Sequence, residues 1–340
     1  MKKILILVML VFLVGCKSNE PEGLNNPYTN PVFKPVIADP SIIKAEDGYF
    51  YVYATEDFWD YDTGVHNVAI IRSKNLVDWE YVGDAFTEKP DWNGLAYIWA
   101  PDIQYFNDTY YLYYSLSVWG DDNPAIGVAT SSTPSGPFVD QGKLFDSNEI
   151  GVGNSIDPFL YITEDNEKWM FWGSFRGLYA IKLSDDGLST VGEKFHIGGN
   201  SFEASYIIEK DGYYYLFTST GSCCSGADST YNVRIARSTE LLGPYIDKTG
   251  RDILHSNGSL VMGAGQQYVG VGHNSVVIDD NGDYWMIYHG IDKDDPYLDN
   301  GATKRPLMID KIIWDSLGWP QTKNFIPSET KTEGPYFEED

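Results

Sequence analysis

One pattern recurs five times along this chain, and that repeat limits its possible folds more than any other feature. Asp39-Pro40-Ser41-Ile42-Ile43 leads through Asp47-Gly48 into Tyr49-Phe50-Tyr51-Val52-Tyr53. Asp102 to Phe106 leads through Asn107-Asp108 into Tyr110 to Tyr114, and Asp157 to Tyr161 through Asp165-Asn166 into Trp169 to Trp172. Glu203 to Ile207 leads through Asp211-Gly212 into Tyr213 to Phe217, and His273 to Val277 through Asn281-Gly282 into Tyr284 to Tyr288. An apolar run, a short turn rich in Asp, Asn and Gly, and a returning apolar run make an antiparallel hairpin. A third strand is predicted after each hairpin, over 67–72, 125–130, 177–183, 232–237 and 306–314. The repeats start 46 to 70 residues apart, enough for a propeller blade of roughly 40–50 residues plus inserted loops. No stretch keeps a 3.6-residue apolar period, so helices should be few. Five such units close naturally around an axis, which leaves only short protected edges. The expected fold is all-β, a five-bladed β-propeller; a β-sandwich or paired sandwiches is the alternative.

The leading residues of the five repeats are Asp39, Asp102, Asp157, Glu203 and His273. The first strand of a propeller blade lines the central channel, so these ionisable groups should converge on one axis. An axis built only for stability would favour small or apolar residues. Gathered carboxylates repel, unless a proton, a metal or a substrate relieves them. Glycoside hydrolysis uses such a set: one carboxyl protonated to serve the leaving oxygen, another ionised to activate water. A third, beside the acid, raises its pKa.

The ends of the chain suggest export. Lys2 and Lys3 precede an apolar run from Ile4 to Val14, closed by Gly15-Cys16. Residues 1–16 read as a signal peptide, too short to span a membrane as a folded helix, with Cys16 as a lipid-bearing first residue of the mature chain. Residues 17–35 read as a flexible tether, 36–330 as the propeller, and 331–340 as an acidic tail. Membrane contact is expected only through the lipid on Cys16, at the cell surface or in the periplasm, and the protein as a monomer. The formal net charge of −25 opposes binding to nucleic acid or anionic lipid and favours a neutral glycan over an acidic one. Cys223 and Cys224 are adjacent and cannot staple a loop; two buried thiols are expected, a vicinal disulfide being the strained alternative.

The leading residues and their neighbours resemble glycoside hydrolase family 43, and within it the endo-acting α-L-arabinanases. Ala38-Asp39-Pro40-Ser41, Trp99-Ala100-Pro101-Asp102, Asn154-Ser155-Ile156-Asp157-Pro158 and Phe202-Glu203-Ala204-Ser205-Tyr206 carry the resemblance, with Gly272-His273-Asn274-Ser275 and Gly318-Trp319-Pro320. It implies Asp39 as general base, Glu203 as general acid and Asp157 as the carboxylate that tunes and orients the acid, with inversion at the anomeric carbon. Asp102 is expected to be structural or supporting. The resemblance further implies an axial calcium, held largely by waters and faced by His273, against the alternative of a satisfied core histidine. Cys223-Cys224-Ser225-Gly226 with Ser229-Thr230-Tyr231 resembles the arabinanase pattern and implies plant cell-wall arabinan or its oligosaccharides as substrate. Ala204-Ser205-Tyr206 departs from it. Trp99 and Phe58 are candidate sugar platforms; Asn154, Ser155 and Arg305 are candidate substrate contacts. The competing readings are an exo-acting α-L-arabinofuranosidase or β-xylosidase, and a non-catalytic glycan-binding propeller.

Overall fold

The computed structural model describes residues 24–94 and 96–338; the leader and Cys16 lie outside them. Five four-stranded antiparallel sheets form the blades of a propeller. Their inner strands are Ser41–Lys44, Tyr97–Phe106, Phe159–Ile162, Glu203–Lys210 and Tyr268–Ile278. Each inner strand touches the next, and the last meets the first, so the ring is closed. The third strands are Ala69–Ser73, Ala125–Ser131, Leu178–Leu183, Asn232–Ser238 and Leu307–Trp314, close to their predicted places. Among the described residues, helix is confined to one turn, Ser147–Ile150, and two short 3-10 segments. Asp146 and Glu149 cap that turn reciprocally.

The tyrosine-rich second strands explain their own composition. Phe50–Tyr53 is buried along its whole length because a mid-blade strand packs against a neighbouring blade on each face. Tyr51 and Tyr53 join Ile98, Ile103 and Leu112 of the second blade. Phe50 and Val52 point the other way, into Trp285, Ile287 and Ile309 of the fifth. The same alternation builds a core at each remaining junction: second with third, third with fourth, fourth with fifth. Each large buried side chain contributes ~1.5–3 kcal/mol. The apolar stabilisation therefore lies between blades, and the axis is free to be polar.

The packed fold extends past both expected boundaries. From residue 28 the presumed tether is docked: Val32 donates its amide to the Leu307 carbonyl at 2.9 Å, and Leu307 donates to Phe33 at 3.1 Å. The Asn30 side chain bonds the Ile309 backbone both ways. This segment fills the free edge of the fifth blade's third strand, opposite only Pro320–Gln321 further along. The presumed tail is also fixed, by Thr332 pairing with Tyr28 and by the Phe337 ring lying 4.9 Å from Phe50. The apolar residues at both ends cover surface that the ring closure would leave open.

The repeat register also differs from the expected one. The backbone turns through positive φ at Asp39 (53°), Ala100 (44°), Asp157 (59°), Ala204 (56°) and His273 (51°). These five are the structural equivalents. Asp102 lies two residues further on, in the place of Ser41, and Glu203 one residue earlier than its blade's equivalent. Cys223 and Cys224 form a vicinal disulfide instead of two thiols. Their loop is folded back by the Thr230 amide and hydroxyl on Ser222, so it stands at the rim and not in the core.

Candidate active site

Each positive-φ residue points its amide at the blade before it, and that blade supplies an acceptor. Thr55 Oγ1 accepts from the Ala100 amide at 2.8 Å, and Ser115 Oγ from Asp157 at 3.0 Å. Ser219 Oγ accepts from His273 at 2.9 Å, and His289 Nδ1 from Asp39 at 3.0 Å. The equivalent residue between the third and fourth blades is Gly173, which has no side chain. There the Ala204 amide bonds Asp157 Oδ2 instead, at 3.2 Å.

These contacts hold Asp39, Asp157 and Glu203 at one end of the axis, all buried. Arg305 Nη1 donates to both oxygens of Asp39, at 3.0 and 3.1 Å. Thr55 Oγ1 donates to Oδ2 at 2.6 Å, and His273 Nδ1 stands 3.3 Å from Oδ1. Burial pushes the Asp39 carboxyl upward, but Arg305 and then His273 outweigh it and hold it well below the ordinary range. His289 lies as close, but its Nδ1 is already accepting the Asp39 amide, so it is neutral with its proton on Nε2. Burial keeps that ring uncharged. Burial also opposes charge on His273, yet Asp39, Asp157 and Glu203 together raise it to about 9.

The other two carboxyls are shifted the opposite way. Burial raises both Asp157 and Glu203, and their mutual repulsion adds to it at Asp157. Burial of both carboxyls therefore favours their protonated forms. Glu203 accepts from Ser174 Oγ at 2.7 Å and Tyr231 Oη at 2.6 Å. Both donors favour its ionised form, so the proton on Glu203 is held but labile.

The remaining predicted residues divide. Arg305 reaches the site as the partner of Asp39, not as a free contact for substrate. Trp99 is half-buried beside Ala100, its ring 5.6 Å from that of Trp119, which is 78% exposed. Phe58 lies on a small hairpin, Asp57–Asp60 with Gly64–His66, against the exposed ring of Tyr61. Asn154 is half-buried and bonds the Ser174 carbonyl. Ser155 does not serve a ligand: it is fully buried, donating to Val152 O and accepting from Trp172 Nε1. Asp102 is structural. It accepts from Ser41 Oγ, Gln104 Nε2 and the Leu160 amide, tying three blades together beneath the site.

An axial calcium held largely by waters would draw few of its ligands from the side chains around His273. That ion takes six to eight oxygen ligands. Among the described residues no group of three or more His, Cys, Asp or Glu side chains is arranged to hold a metal. His273 turns its Nδ1 to Asp39, and each nearby carboxylate is already engaged by protein donors.

Thr55, Ser174, Tyr231, His289 and the half-buried Asp57 are site residues that the motif reading did not select. Asp57 is raised to about 6 by burial, against the pull of Arg305. A signal for three of them was present. Thr55, Ser115, Ser219 and His289 fall at one equivalent place at the end of each hairpin's return strand, and Ser174 one residue beyond it.

A closed five-bladed ring with buried carboxyls at one end of its axis is an arrangement that glycoside hydrolysis can use. The chain belongs to glycosyl hydrolases family 43, whose sequence pattern matches residues 28–320. It is 35% identical over 294 residues to the extracellular exo-α-(1→5)-L-arabinofuranosidase of Cellvibrio japonicus, covering 78% of this chain and 83% of that protein. It is 33% identical over 298 residues to the extracellular endo-α-(1→5)-L-arabinanase 1 of Bacillus subtilis, covering 84% and 87%. The solved structure of Cellvibrio cellulosa α-L-arabinanase complexed with arabinohexaose superposes with a TM-score of 0.74 at 32% identity, over 86% of this chain and 96% of that one.

Proposed function

We propose that this protein hydrolyses α-1,5-linked L-arabinan by a single displacement with inversion, cutting within the chain. The observation that carries this reading is the opposite treatment of the buried carboxyls. Asp39 is surrounded by Arg305, His273 and Thr55 and stays ionised, while burial raises Asp157 and Glu203 and favours their protonated forms. Glu203 is the acid. It gives its proton to the glycosidic oxygen as the bond from that oxygen to the anomeric carbon breaks. Ser174 and Tyr231 stabilise the carboxylate left behind. Asp39 is the base. It orients a water on the opposite face and takes its proton as the new carbon–oxygen bond forms; such a reaction needs the two carboxyls about 6.5–9.5 Å apart. Asp157 favours the protonated form of Glu203 and orients it through the amide of the next residue, Ala204.

The two relatives, an exo-α-(1→5)-L-arabinofuranosidase and an endo-α-(1→5)-L-arabinanase, support the substrate. The row of Trp99 and the exposed Trp119 beside the site supports a cleft that accepts a long chain. Both relatives are extracellular, which supports export, and the leader supports a lipid on Cys16. Exo action is the second reading, favoured by the 35% identity to an exo-acting relative.

Product chromatography over time on linear arabinan separates the two. Mixed oligomers early in the reaction are expected; one small product throughout would replace endo with exo action. Glu203→Gln should lower kcat on linear arabinan ~10²–10⁴-fold, the usual contribution of general acid catalysis. A variant that keeps full activity would remove Glu203 from the mechanism. NMR of the first-formed anomer should show inversion.

A further inference from the structure

Thr55 is buried and makes two hydrogen bonds through one hydroxyl oxygen. It accepts from the Ala100 amide at 2.8 Å and stands 2.6 Å from Asp39 Oδ2. An amide can only donate, so that bond occupies a lone pair of Oγ1. An ionised carboxylate can only accept, so the single hydroxyl proton must point at Asp39. The rotor is fixed from behind by the second blade's backbone. A bond of this length from hydroxyl to carboxylate is in the charge-assisted range of about 2.5–2.7 Å. The other junction acceptors lack this second role. Ser115 and Ser219 each accept one amide, and neither donates to a carboxylate.

We propose that Thr55 is a positioning residue for the reaction, a one-proton clamp that sets the orientation of the Asp39 carboxylate from the neighbouring blade. This rests on the reading of Asp39 as the base. Arg305 anchors both oxygens through a single nitrogen, and His273 Nδ1 stands beside Oδ1 at 3.3 Å, so Oδ2 has Thr55 as its own donor besides that shared nitrogen. The Thr55 proton fixes Oδ2 and with it the plane of the carboxylate. Base catalysis depends on that aim, because the reacting atoms must lie within hydrogen-bond reach along the right line. Substrate binding does not depend on it.

The test is a series at one position, Thr55→Ser, Thr55→Cys and Thr55→Val, measured on linear arabinan with melting temperature recorded for each. Thr55→Ser keeps the hydroxyl and should stay within about twofold of the parent in kcat. Thr55→Val keeps the shape, loses the donor, and should lose kcat roughly 10–100-fold with KM within about twofold. Thr55→Cys, with a weak donor, should fall between them. Equal losses in the Ser and Val variants would overturn the proposal, since the side chain would then matter as volume only. So would a Val variant within twofold of the parent. If Val does not fold, the Cys variant decides: a kcat equal to that of Ser would count against the clamp. Asp39→Asn separates the two readings. A fully active Asn variant would remove Asp39 as base; an inactive one beside a normal Thr55→Val would leave the base and remove the clamp.

Discussion

Four of the five blade junctions are built alike, and the fifth is not. At the four, a side chain from one blade accepts the amide of the positive-φ residue in the next: Thr55, Ser115, Ser219 and His289. Between the third and fourth blades that side chain is missing. Gly173 turns the backbone at φ 121°, and a Cβ there would stand 2.2 Å from the Gly177 carbonyl oxygen. The empty place is taken by Asp157 Oδ2, which accepts the Ala204 amide. The residue pushed past the turn, Ser174, bonds Glu203. The regular junctions hold the ring. At the irregular one the Asp157 carboxyl holds the backbone beside Glu203, and burial of both groups favours their protonated forms. The departure from symmetry therefore falls at the acid.

If Gly173 makes the irregular junction, supplying the missing side chain should not repair it. Gly173→Ser copies the residue type found at two other junctions into a position with no space and a strained φ. The expected result is the largest effect in the molecule: a loss of ~4 kcal/mol or more, about 10 °C or more in Tm, together with collapse of activity. A circular dichroism melt at the parent temperature would mean that the turn tolerates a side chain and that symmetry was broken for another reason.

Asp157→Asn probes the substitute acceptor. Its amide oxygen can still take the Ala204 amide, but the like charge beside Glu203 is gone. The Glu203 pKa should then fall, so the alkaline limb of the pH–rate profile should move to lower pH, with kcat down roughly 10–100-fold. Stability should change in the other direction. The Asp157 pKa is raised on folding, so its favourable contribution is complete below the unfolded value and is lost as pH rises through the folded one. The neutral variant avoids that loss. Its Tm should exceed the parent's by a few degrees at neutral pH, with the gain vanishing towards pH ~4. A Tm gain that does not depend on pH would refute the charge argument.

The sequence exposed the ring and its acids for a physical reason. A hairpin leaves its mark in a dozen consecutive residues, and five copies of Tyr49 to Tyr53 or Tyr284 to Tyr288 reinforce one another. Asp39 and Asp157 stand directly before these hairpins and were legible with them. The register at Glu203 was not: aligning acid with acid misses that Ala204, and not Glu203, has the equivalent backbone. Only the positive φ reveals that one-residue offset. Thr55 and Ser174 leave only a faint signal, their common place at the ends of the return strands, because their partners are 16 and 29 residues away. Tyr28 and Asn30 were read as tether because a strand edge that needs covering is a property of the closed ring, not of the segment that covers it.

The smallest expected effect comes from a regular junction. Ser219→Ala removes the acceptor of the half-buried His273 amide and nothing else that the site uses. An unsatisfied buried donor costs ~1–3 kcal/mol, which at this chain length is about 2–6 °C in Tm. kcat should change less than about threefold, because His273 keeps its contact with Asp39 through the side chain. Ser115→Ala deletes the same kind of bond and should cost the same Tm, but its amide belongs to Asp157, so kcat should fall further, by roughly threefold to tenfold. The pair isolates position from chemistry. Equal melting losses with unequal rates would show that the regular junctions are interchangeable as structure and are distinguished only by which residue they aim. If Ser219→Ala lost as much rate as Asp157→Asn, the division between ring-holding and catalytic junctions would have to be abandoned.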